Sequence, residues 1–309
     1  MRAAMSCAAT IACLGACGRL AFDRLDTSDA VAGDIIDGDI IDGDVTIDAC
    51  SFGLFGGATQ LPNVNGTAED FSPYVSYDGL SLYFGKQAPN YEVYRSVRAD
   101  TSAAFPAGTP VAELNTAAVE GGPSLSLDQL DVVFFSTRVT RQDIWIGSRT
   151  ATAQPFSGIR QAFGAVGPLV RDAPEISPDG LTLYYTNGGL GSNREIHRGV
   201  RPDRTSLFTD LGPVVEVNSS QDDGLPSVSD DHLEMYFRSN RSGGYRLWVA
   251  RRARTTDAWG TPVPVAELDL LAPNVSDPEL AEGGTAMYFT HDSGDGTSWN
   301  IYVARRACM

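Results

Sequence analysis

Five copies of one pattern follow each other along this chain at a spacing of 50 to 52 residues. Each copy opens on a proline, continues as a short apolar stretch, passes a tight turn and ends in a second apolar stretch. The five prolines are Pro73, Pro123, Pro174, Pro226 and Pro278. A repeat of this length built from short strands is typical of a propeller, in which each repeat forms one blade. The sequence therefore predicts an all-β fold, a five-bladed β-propeller of four-stranded blades.

The third repeat shows most clearly where the strands of a blade lie. Its innermost strand begins at Pro174, and the turn Pro178-Asp179-Gly180 follows, because proline presets φ and glycine accepts a positive φ. The second strand is predicted at residues 181–185. The third strand carries an aromatic residue or histidine in every repeat: Tyr94, Trp145, His197, Trp248 and Tyr302. The outer strand opens on Phe105, Phe156, Phe208 or Trp259 in the first four repeats.

The fifth repeat ends after its third strand, at residues 301–306, and lacks an outer strand of its own. The missing strand is found at the other end of the repeat region. Phe55 and Asn65 are ten residues apart, the same spacing as Phe105 and Asn115 in the first repeat. We therefore expect the N-terminal strand to complete the last blade, which closes the ring and removes an unpaired sheet edge.

Residues 174–185 (Pro-Glu-Ile-Ser-Pro-Asp-Gly-Leu-Thr-Leu-Tyr-Tyr) resemble the WD40-like propeller repeat of the TolB type, Pro-x-x-Ser-Pro-Asp-Gly-x-x-Leu-Tyr-Phe. Residues 239–244 and the pair Leu247-Trp248 match the second turn and third strand of that repeat. The resemblance covers roughly residues 52–309 and implies a propeller. It implies little about function, because such propellers act as scaffolds, binding domains and enzymes. TolB has six blades and an additional domain, whereas five repeats are countable here.

The first 16 residues are predicted to be a signal peptide, with Arg2 before a short stretch of small and apolar residues. Residues 14–17 (Leu-Gly-Ala-Cys) resemble the bacterial lipobox. The resemblance implies cleavage before Cys17 and lipidation of Cys17, which would anchor the protein to a membrane. The residue after Cys17 is Gly18 and not the aspartate that is associated with retention in the inner membrane. An exported lipoprotein of the outer membrane is therefore expected. An ordinary secretory signal with a chance cysteine is the alternative.

Residues 17–48 are predicted to form a disordered, acidic tether between the lipidated Cys17 and the propeller at residues 49–309. Residues 18–48 contain nine aspartates against two arginines and are of low complexity. A calcium loop is the alternative, suggested by the pairs Asp37/Asp39 and Asp42/Asp44. Ile41 stands where such a loop needs an oxygen ligand, which argues against it.

Two cysteines remain once the signal is removed and Cys17 is lipidated. Cys50 and Cys308 stand at the two ends of the repeat region, in a chain expected to reach an oxidising compartment. In the register of the closed ring, they lie on the two sides of one hairpin connection. We predict a Cys50–Cys308 disulfide, which would contribute on the order of 2–5 kcal/mol to stability because it closes a long loop.

Composition and motifs exclude several functions. The net charge of −16 argues against nucleic-acid binding, which needs a basic surface. The sequence contains no Gly-x-Ser-x-Gly, no His-Glu-x-x-His, no phosphate-binding glycine loop and no Cys-x-x-Cys. His197, His232 and His291 are not spaced as metal ligands. We therefore expect a monomer with no nucleic-acid partner, no cofactor and no metal site.

An acid stands just ahead of the proline in each repeat, and these are our candidate binding residues: Asp70, Glu120, Asp172, Asp223 and Asp277, with Arg171 beside them. Because innermost strands line the channel of a propeller, these carboxylates would surround its mouth and attract a cation or a basic partner. The interpretation that we favour over a binding site is that each acid belongs to the repeat consensus and caps backbone amides locally. The acids stand at different distances from the proline, which argues against a symmetric site.

The sequence thus predicts a lipid-anchored propeller of the cell envelope that serves as a non-catalytic binding or scaffolding module. Its partner would be an envelope protein or a glycan. The alternative is a carbohydrate-active enzyme of the glycoside hydrolase type that uses the channel carboxylates, for which a pair roughly 5–10 Å apart is needed.

Overall fold

The structure is a computed structural model, and it describes residues 52–139, 141–164, 170–188, 193–271, 275–292 and 299–308. The chain divides into two units, Met1–Asp48 and Ala49–Met309. The predicted signal peptide, the lipidation of Cys17 and the acidic tether lie outside the described residues. None of the described helices is long and apolar enough to cross a membrane.

Five antiparallel sheets of four strands, one for each repeat, form the second unit. The first strand, β1 (Thr59–Gln60), belongs to the fifth sheet. Blade 1 contains β2 (Asp70–Val75), β3 (Ser81–Gln87), β4 (Tyr91–Val97) and β5 (Thr109–Pro110). Blade 2 contains β6 (Glu120–Leu125), β7 (Asp131–Ser136), β8 (Asp143–Ser148) and β9 (Ser157–Gln161). Blade 3 contains β10 (Arg171–Ile176), β11 (Thr182–Asn187), β12 (Glu195–Val200) and β13 (Thr209–Pro213).

Blade 4 contains β14 (Asp223–Val228), β15 (Glu234–Ser239), β16 (Arg246–Arg251) and β17 (Val263–Pro264), and a short 3₁₀ helix (Ala266–Leu271) follows it. Blade 5 contains β18 (Val275–Ala281), β19 (Ala286–Asp292) and β20 (Trp299–Arg305), with β1 as its outer strand. The innermost strands β2, β6, β10, β14 and β18 contact one another in a closed circle. The predicted fold, an all-β five-bladed propeller, is therefore confirmed.

The N-terminal strand closes the ring as the sequence predicts. Thr59 and Gln60 of β1 pair with Val303 and Tyr302 of β20. Asn65 then holds the same strand, since its Nδ2 donates to the Ile301 carbonyl and its Oδ1 accepts from the Ile301 amide, both at 2.8 Å. The equivalent clasps are Asn115 on Val93 and Asn218 on Ile196. The ten-residue spacing from phenylalanine to asparagine thus marks an asparagine whose side chain hydrogen-bonds the backbone of the third strand at the outer edge of the blade.

The apolar core lies between neighbouring blades. Each of the five clusters of buried side chains joins two adjacent sheets, for example Phe84 of blade 1 with Tyr288 and Ile301 of blade 5. Leu82, Tyr83 and Phe84 of β3 are all fully buried, because this strand is covered by a blade on each side. This explains why the second strand of every repeat is almost wholly apolar rather than alternating.

Each innermost strand contains a β-bulge directly before its proline. The residue before the proline has a positive φ in all five blades: Ser72 (46°), Gly122 (56°), Ala173 (43°), Leu225 (58°) and Asp277 (48°). Residues other than glycine seldom adopt this region, and a following proline disfavours it further. All five prolines border one small cavity on the axis, with a volume of about 30 Å³. The ring is therefore nearly closed at the level of the prolines.

Candidate functional site

Three of the predicted binding residues are fully buried and paired within their own blades. Asp70, Glu120 and Asp223 are the first residues of their innermost strands, three positions before the proline. The ion pairs are Asp70–Lys86 (2.6 Å), Glu120–Arg138 (3.4 Å) and Asp223–Arg241 (2.5 Å). Each carboxylate also accepts a backbone N–H from four residues upstream, such as the Gly66 amide on Asp70 (2.8 Å). These contacts fix the loop that enters each blade.

Arg171 occupies the same position in blade 3 but carries the opposite charge. Its Nη1 lies 3.1 Å from Oδ1 of Asp143 in blade 2. Its guanidinium also lies over the ring of Phe163, 4.3 Å from the centroid. Arg171 therefore joins blades 2 and 3, since Asp143 and Phe163 both belong to the neighbouring blade.

Asp172 and Asp277 lie closer to their prolines than the other acids, and both are partly exposed. Asp277 borders the small cavity between the prolines and accepts a hydrogen bond from Oγ of Ser72 at 2.5 Å. Burial raises the pKa of Asp172, and the nearby charge of Asp277 raises it further, whereas Arg194 acts in the opposite direction. The structure thus brings these two carboxylates, out of the five predicted, into one electrostatic environment.

A larger cavity opens at the end of the ring where the innermost strands begin, which we call the upper face. This upper cavity has a volume of about 540 Å³. Its lining residues are Phe71, Tyr91, Val119, Phe135, Gln142, Val170, Asp172, Gly188 and Arg194. The volume falls within the range of ordinary ligand sites, roughly 300–1,000 Å³.

Aromatic rings form one wall of the upper cavity. Phe71 and Tyr91 meet edge to face with their ring centroids 5.2 Å apart, and the Tyr91 hydroxyl donates to Glu69 at 2.6 Å. Gly85 permits this arrangement, because a Cβ at that position would lie only 2.3 Å from the Phe71 ring. In the same way, a Cβ at Gly121 would lie only 2.7 Å from the Phe135 ring. Two strand glycines therefore let these rings lie flat on the sheet.

Charged groups also line the upper cavity. Arg194 lies 3.5 Å from Asp222, and the Asp172 carboxylate lies near enough to Arg194 for the two charges to interact. Burial lowers the pKa of Arg238, and the repulsion of Arg194 adds to this effect. The upper cavity thus combines aromatic rings with one carboxylate, that of Asp172, and one guanidinium group, that of Arg194.

Below the prolines, side chains link all five blades around the axis. The residue after each proline takes part: Tyr74, Ser124, Glu175, Ser227 and Glu279. Ser124 of blade 2 donates to Glu175 of blade 3 (2.8 Å), which also accepts the Val228 amide of blade 4 (3.3 Å). Ser227 of blade 4 donates to Glu279 of blade 5 (3.2 Å), which also accepts the Val75 amide of blade 1 (3.3 Å). The Tyr74 hydroxyl donates to the Leu125 carbonyl of blade 2 (2.7 Å) and completes the circle.

Sequence reasoning missed Glu175 and Glu279, because it considered the residues before each proline and not those after it. The available signal was the Pro-Glu dipeptide, which occurs in repeats three and five. Burial raises the pKa of Glu175 to about 8, and burial together with the charge of Glu175 raises the pKa of Glu279. Among the described residues, no three His, Cys, Asp or Glu side chains are grouped so that they could hold a metal ion.

No protein-family model matches the sequence, and no curated protein matches it. Solved structures do share the fold. The catalytic domain of the Coprinopsis cinerea GH62 α-L-arabinofuranosidase is 12% identical with a TM-score of 0.56, covering 84% of this chain and 99% of that one. A thermostable family-43 glycoside hydrolase is 14% identical with a TM-score of 0.53, covering 80% and 92%.

TolB from Acinetobacter baumannii is 15% identical with a TM-score of 0.49, over 78% of this chain. This chain spans 55% of the length of that TolB. At such low identities the likeness to solved structures shows the propeller fold alone.

Proposed function

We propose that this chain is a lipid-anchored cell-envelope protein whose propeller binds a glycan in the upper cavity without cleaving it. The observation that carries the proposal is the composition of that cavity. The faces of Phe71 and Phe135 suit the apolar C–H surface of a sugar ring. Asp172 and Arg194, which line the same cavity, suit the hydroxyl groups of the sugar as an acceptor and a donor.

The cellular setting of the proposal rests on the sequence. The lipobox-like residues 14–17 and the acidic segment up to residue 48 support an anchored domain held away from a membrane surface. Gly18 supports the outer membrane as the location. A protein partner at the envelope remains the outcome to pursue if no glycan binds.

A glycoside hydrolase is the second candidate function, and the pair Asp172 and Asp277 favours it. Burial and the neighbouring carboxylate raise the pKa of Asp172. A carboxyl group with a raised pKa suits the role of general acid in glycoside cleavage, and a second carboxylate nearby suits the role of base or nucleophile.

The test is glycan-array binding together with polysaccharide hydrolysis, using the wild type and Asp172→Asn. We expect the wild type to bind at least one glycan with no turnover, and Asp172→Asn to weaken binding about tenfold, since a hydrogen bond to a charged group contributes about 1.5 kcal/mol or more. Phe71→Leu keeps an apolar side chain but removes the ring, and should weaken binding as well.

Glu216→Gln is the matched control for Asp172→Asn, because it removes one exposed carboxylate away from the upper cavity. It should bind as the wild type does. Hydrolysis that the wild type performs and Asp172→Asn loses would make the upper cavity an active site. Binding unchanged in both Asp172→Asn and Phe71→Leu would place the ligand elsewhere.

A further inference from the structure

An arginine follows the third strand in every blade: Arg98, Arg149, Arg201, Arg252 and Arg306. In each case Nε donates to the carbonyl of a turn residue in the same blade, at 2.6–2.8 Å. Each guanidinium also lies over an aromatic ring, 4.1–4.7 Å from its centroid. We call these residues the latch arginines. They lie where each blade meets the preceding one, toward the lower face, at which the innermost strands end.

Three latch arginines form an ion pair with a carboxylate of the preceding blade. The pairs are Arg201–Asp131 (2.6 Å), Arg306–Glu234 (3.0 Å) and Arg98–Glu282 (2.9 Å). Asp131 and Glu234 are the first residues of their second strands, β7 and β15. A carboxylate of the preceding blade therefore neutralises the latch arginine at three of the five junctions, and at two of them it is the first residue of the second strand.

The junction between blades 3 and 4 lacks this carboxylate. Thr182, the first residue of β11, stands where Asp131 and Glu234 stand in their blades. Among the described residues, no carboxylate oxygen lies within 4.0 Å of the Arg252 guanidinium. Apart from the hydrogen bond of its Nε, Arg252 donates only one long hydrogen bond to a described residue, from Nη1 to the Asp257 carbonyl at 3.4 Å. Arg149 and Arg252 are thus the two latch arginines that form no ion pair with a described carboxylate.

A cavity of about 400 Å³ opens at this junction on the lower face. Thr182 and Arg252 line it together with Arg198, which is exposed and forms no ion pair with any described residue. Thr255 also lines it and adds a second hydroxyl group. We call this space the junction cavity. It presents two guanidinium groups and two threonine hydroxyls at a place where three of the other junctions hold a carboxylate.

Three aspartates also line the junction cavity, and they restrict the charge of a ligand. Asp179 and Asp231 are each held in a turn, for example by the Leu181 amide on Asp179 at 2.8 Å. Burial and the charge of Asp231 raise the pKa of Asp230 to about 6. A dianion such as phosphate would be repelled by these groups, whereas hydroxyl groups would donate to them.

We propose that the junction cavity binds a sugar acid, whose single carboxylate lies between Arg252 and Thr182 and whose hydroxyl groups face the aspartates. The ligand carboxylate takes the place that Asp131 occupies against Arg201. This site lies on the opposite face from the upper cavity and does not depend on the function proposed for it.

The test is a titration of the full chain with sodium glucuronate and, separately, with glucose, followed by calorimetry or NMR. We expect the wild type to bind glucuronate and not glucose. Thr182→Asp should lower the affinity at least tenfold, because its carboxylate would pair with Arg252 as Asp131 pairs with Arg201. The same ion pair should keep Thr182→Asp folded, and thermal unfolding of this variant beside the wild type would check this.

Arg198→Gln is a second variant that leaves the fold alone, since the Arg198 side chain is exposed, and it should weaken binding several-fold. Thr101→Asp adds the same charge at an exposed loop of blade 1 and should bind as the wild type does. Asp172→Asn alters only the upper cavity and should also bind normally. The proposal is overturned if the wild type fails to bind glucuronate, if glucose binds equally well, or if Thr182→Asp and Arg198→Gln bind like the wild type.

Discussion

Glu175 and Glu279 place two carboxyl groups on the axis of the ring, where water has little access. Only 9% of Glu175 and 5% of Glu279 is exposed. Each accepts hydrogen bonds from a serine hydroxyl and a backbone amide, but neither has a basic partner within 4.0 Å among the described residues. Removing an unpaired carboxylate from water is costly, so the protonated form is favoured in the folded state.

We predict that the stability of the propeller falls as the pH rises toward 8. The pKa of Glu175 is about 8 in the folded protein, against an ordinary value of 4.5. Between these values the folded state holds a proton that the unfolded state releases. The contribution is therefore complete below pH 4.5 and is lost as the pH rises through the folded pKa, at up to about 1.4 kcal/mol per pH unit for one group.

Urea unfolding at pH 5, 6, 7 and 8 measures this slope. The free energy of unfolding of Glu175→Gln should fall less steeply with pH than that of the wild type, because glutamine is neutral at every pH. Glu279 and Asp230 remain in that variant, so part of the slope should persist. Glu216→Gln, at an exposed position, should keep the slope of the wild type. An identical slope in Glu175→Gln and the wild type would show that Glu175 is charged in the folded protein.

At the scale of the elements, the latch arginines hold each second strand against the next blade. Arg201 is the clearest case, because its side chain and that of Asp131 are both almost completely buried. Removing one partner of a buried ion pair leaves the other charge uncompensated, at a cost of about 3–5 kcal/mol. We therefore expect Arg201→Met to lower the free energy of unfolding by about that amount.

Denaturant unfolding would measure the loss, with Arg254→Met as the control. Arg254 is also an arginine in an ion pair, but its side chain is 81% exposed and its partner lies 4.0 Å away. The control should change stability by less than about 0.5 kcal/mol. Equal effects of the two substitutions would contradict the structural role given to the latch.

The sequence shows the turns of the elements well and the bulges poorly. Pro178-Asp179-Gly180 is readable because these residues favour a turn in any context. The left-handed conformation at Ala173 and Leu225 cannot be read from the sequence, because alanine and leucine disfavour it and only the closed circle of strands imposes it. The bulge also explains why the acids before the prolines differ, since an extra residue changes which side of the strand the next side chains face.

For this reason the candidate site was only partly accessible from the sequence. Asp172 and Asp277 lie near the axis as expected for channel residues, whereas Asp70 and its equivalents form ion pairs in their own blades. The aromatic wall could not be anticipated, because Phe71 and Phe135 come from different strands of different blades. The junction cavity lies where Thr182 replaces the acid that Asp131 and Glu234 supply in their blades, and the cavity becomes visible only when the blades are compared in three dimensions.

At the scale of the whole molecule, both ends of the repeat region meet in blade 5. Phe52 forms a β-bridge with Cys308, and the Gly53 amide donates to the Ala307 carbonyl at 3.0 Å. Cys50 lies outside the described residues, two positions before this bridge, so the Cys50–Cys308 disulfide stays a prediction. The sequence predicted ring closure correctly because the asparagine clasp recurs at a fixed spacing.

We expect reduction of this disulfide to destabilise the propeller by about 2–5 kcal/mol, since the bond would restrict the unfolded chain over almost the whole domain. Thermal unfolding with and without a reductant measures the effect. Cys308→Ser should be as stable as the reduced wild type and insensitive to the reductant. Two free thiols in the intact mass of protein recovered from the envelope would reject the bond.

The narrow passage at the five prolines has a consequence for any polymer that meets this ring. A space of about 30 Å³ admits roughly one water molecule and no sugar unit. A chain that enters from the upper face therefore cannot be threaded through the molecule, and it must leave by the opening through which it came. Such a closed cavity can accept the end or a sharp bend of a polymer but not an extended internal segment. The two faces of the ring therefore bind their ligands independently.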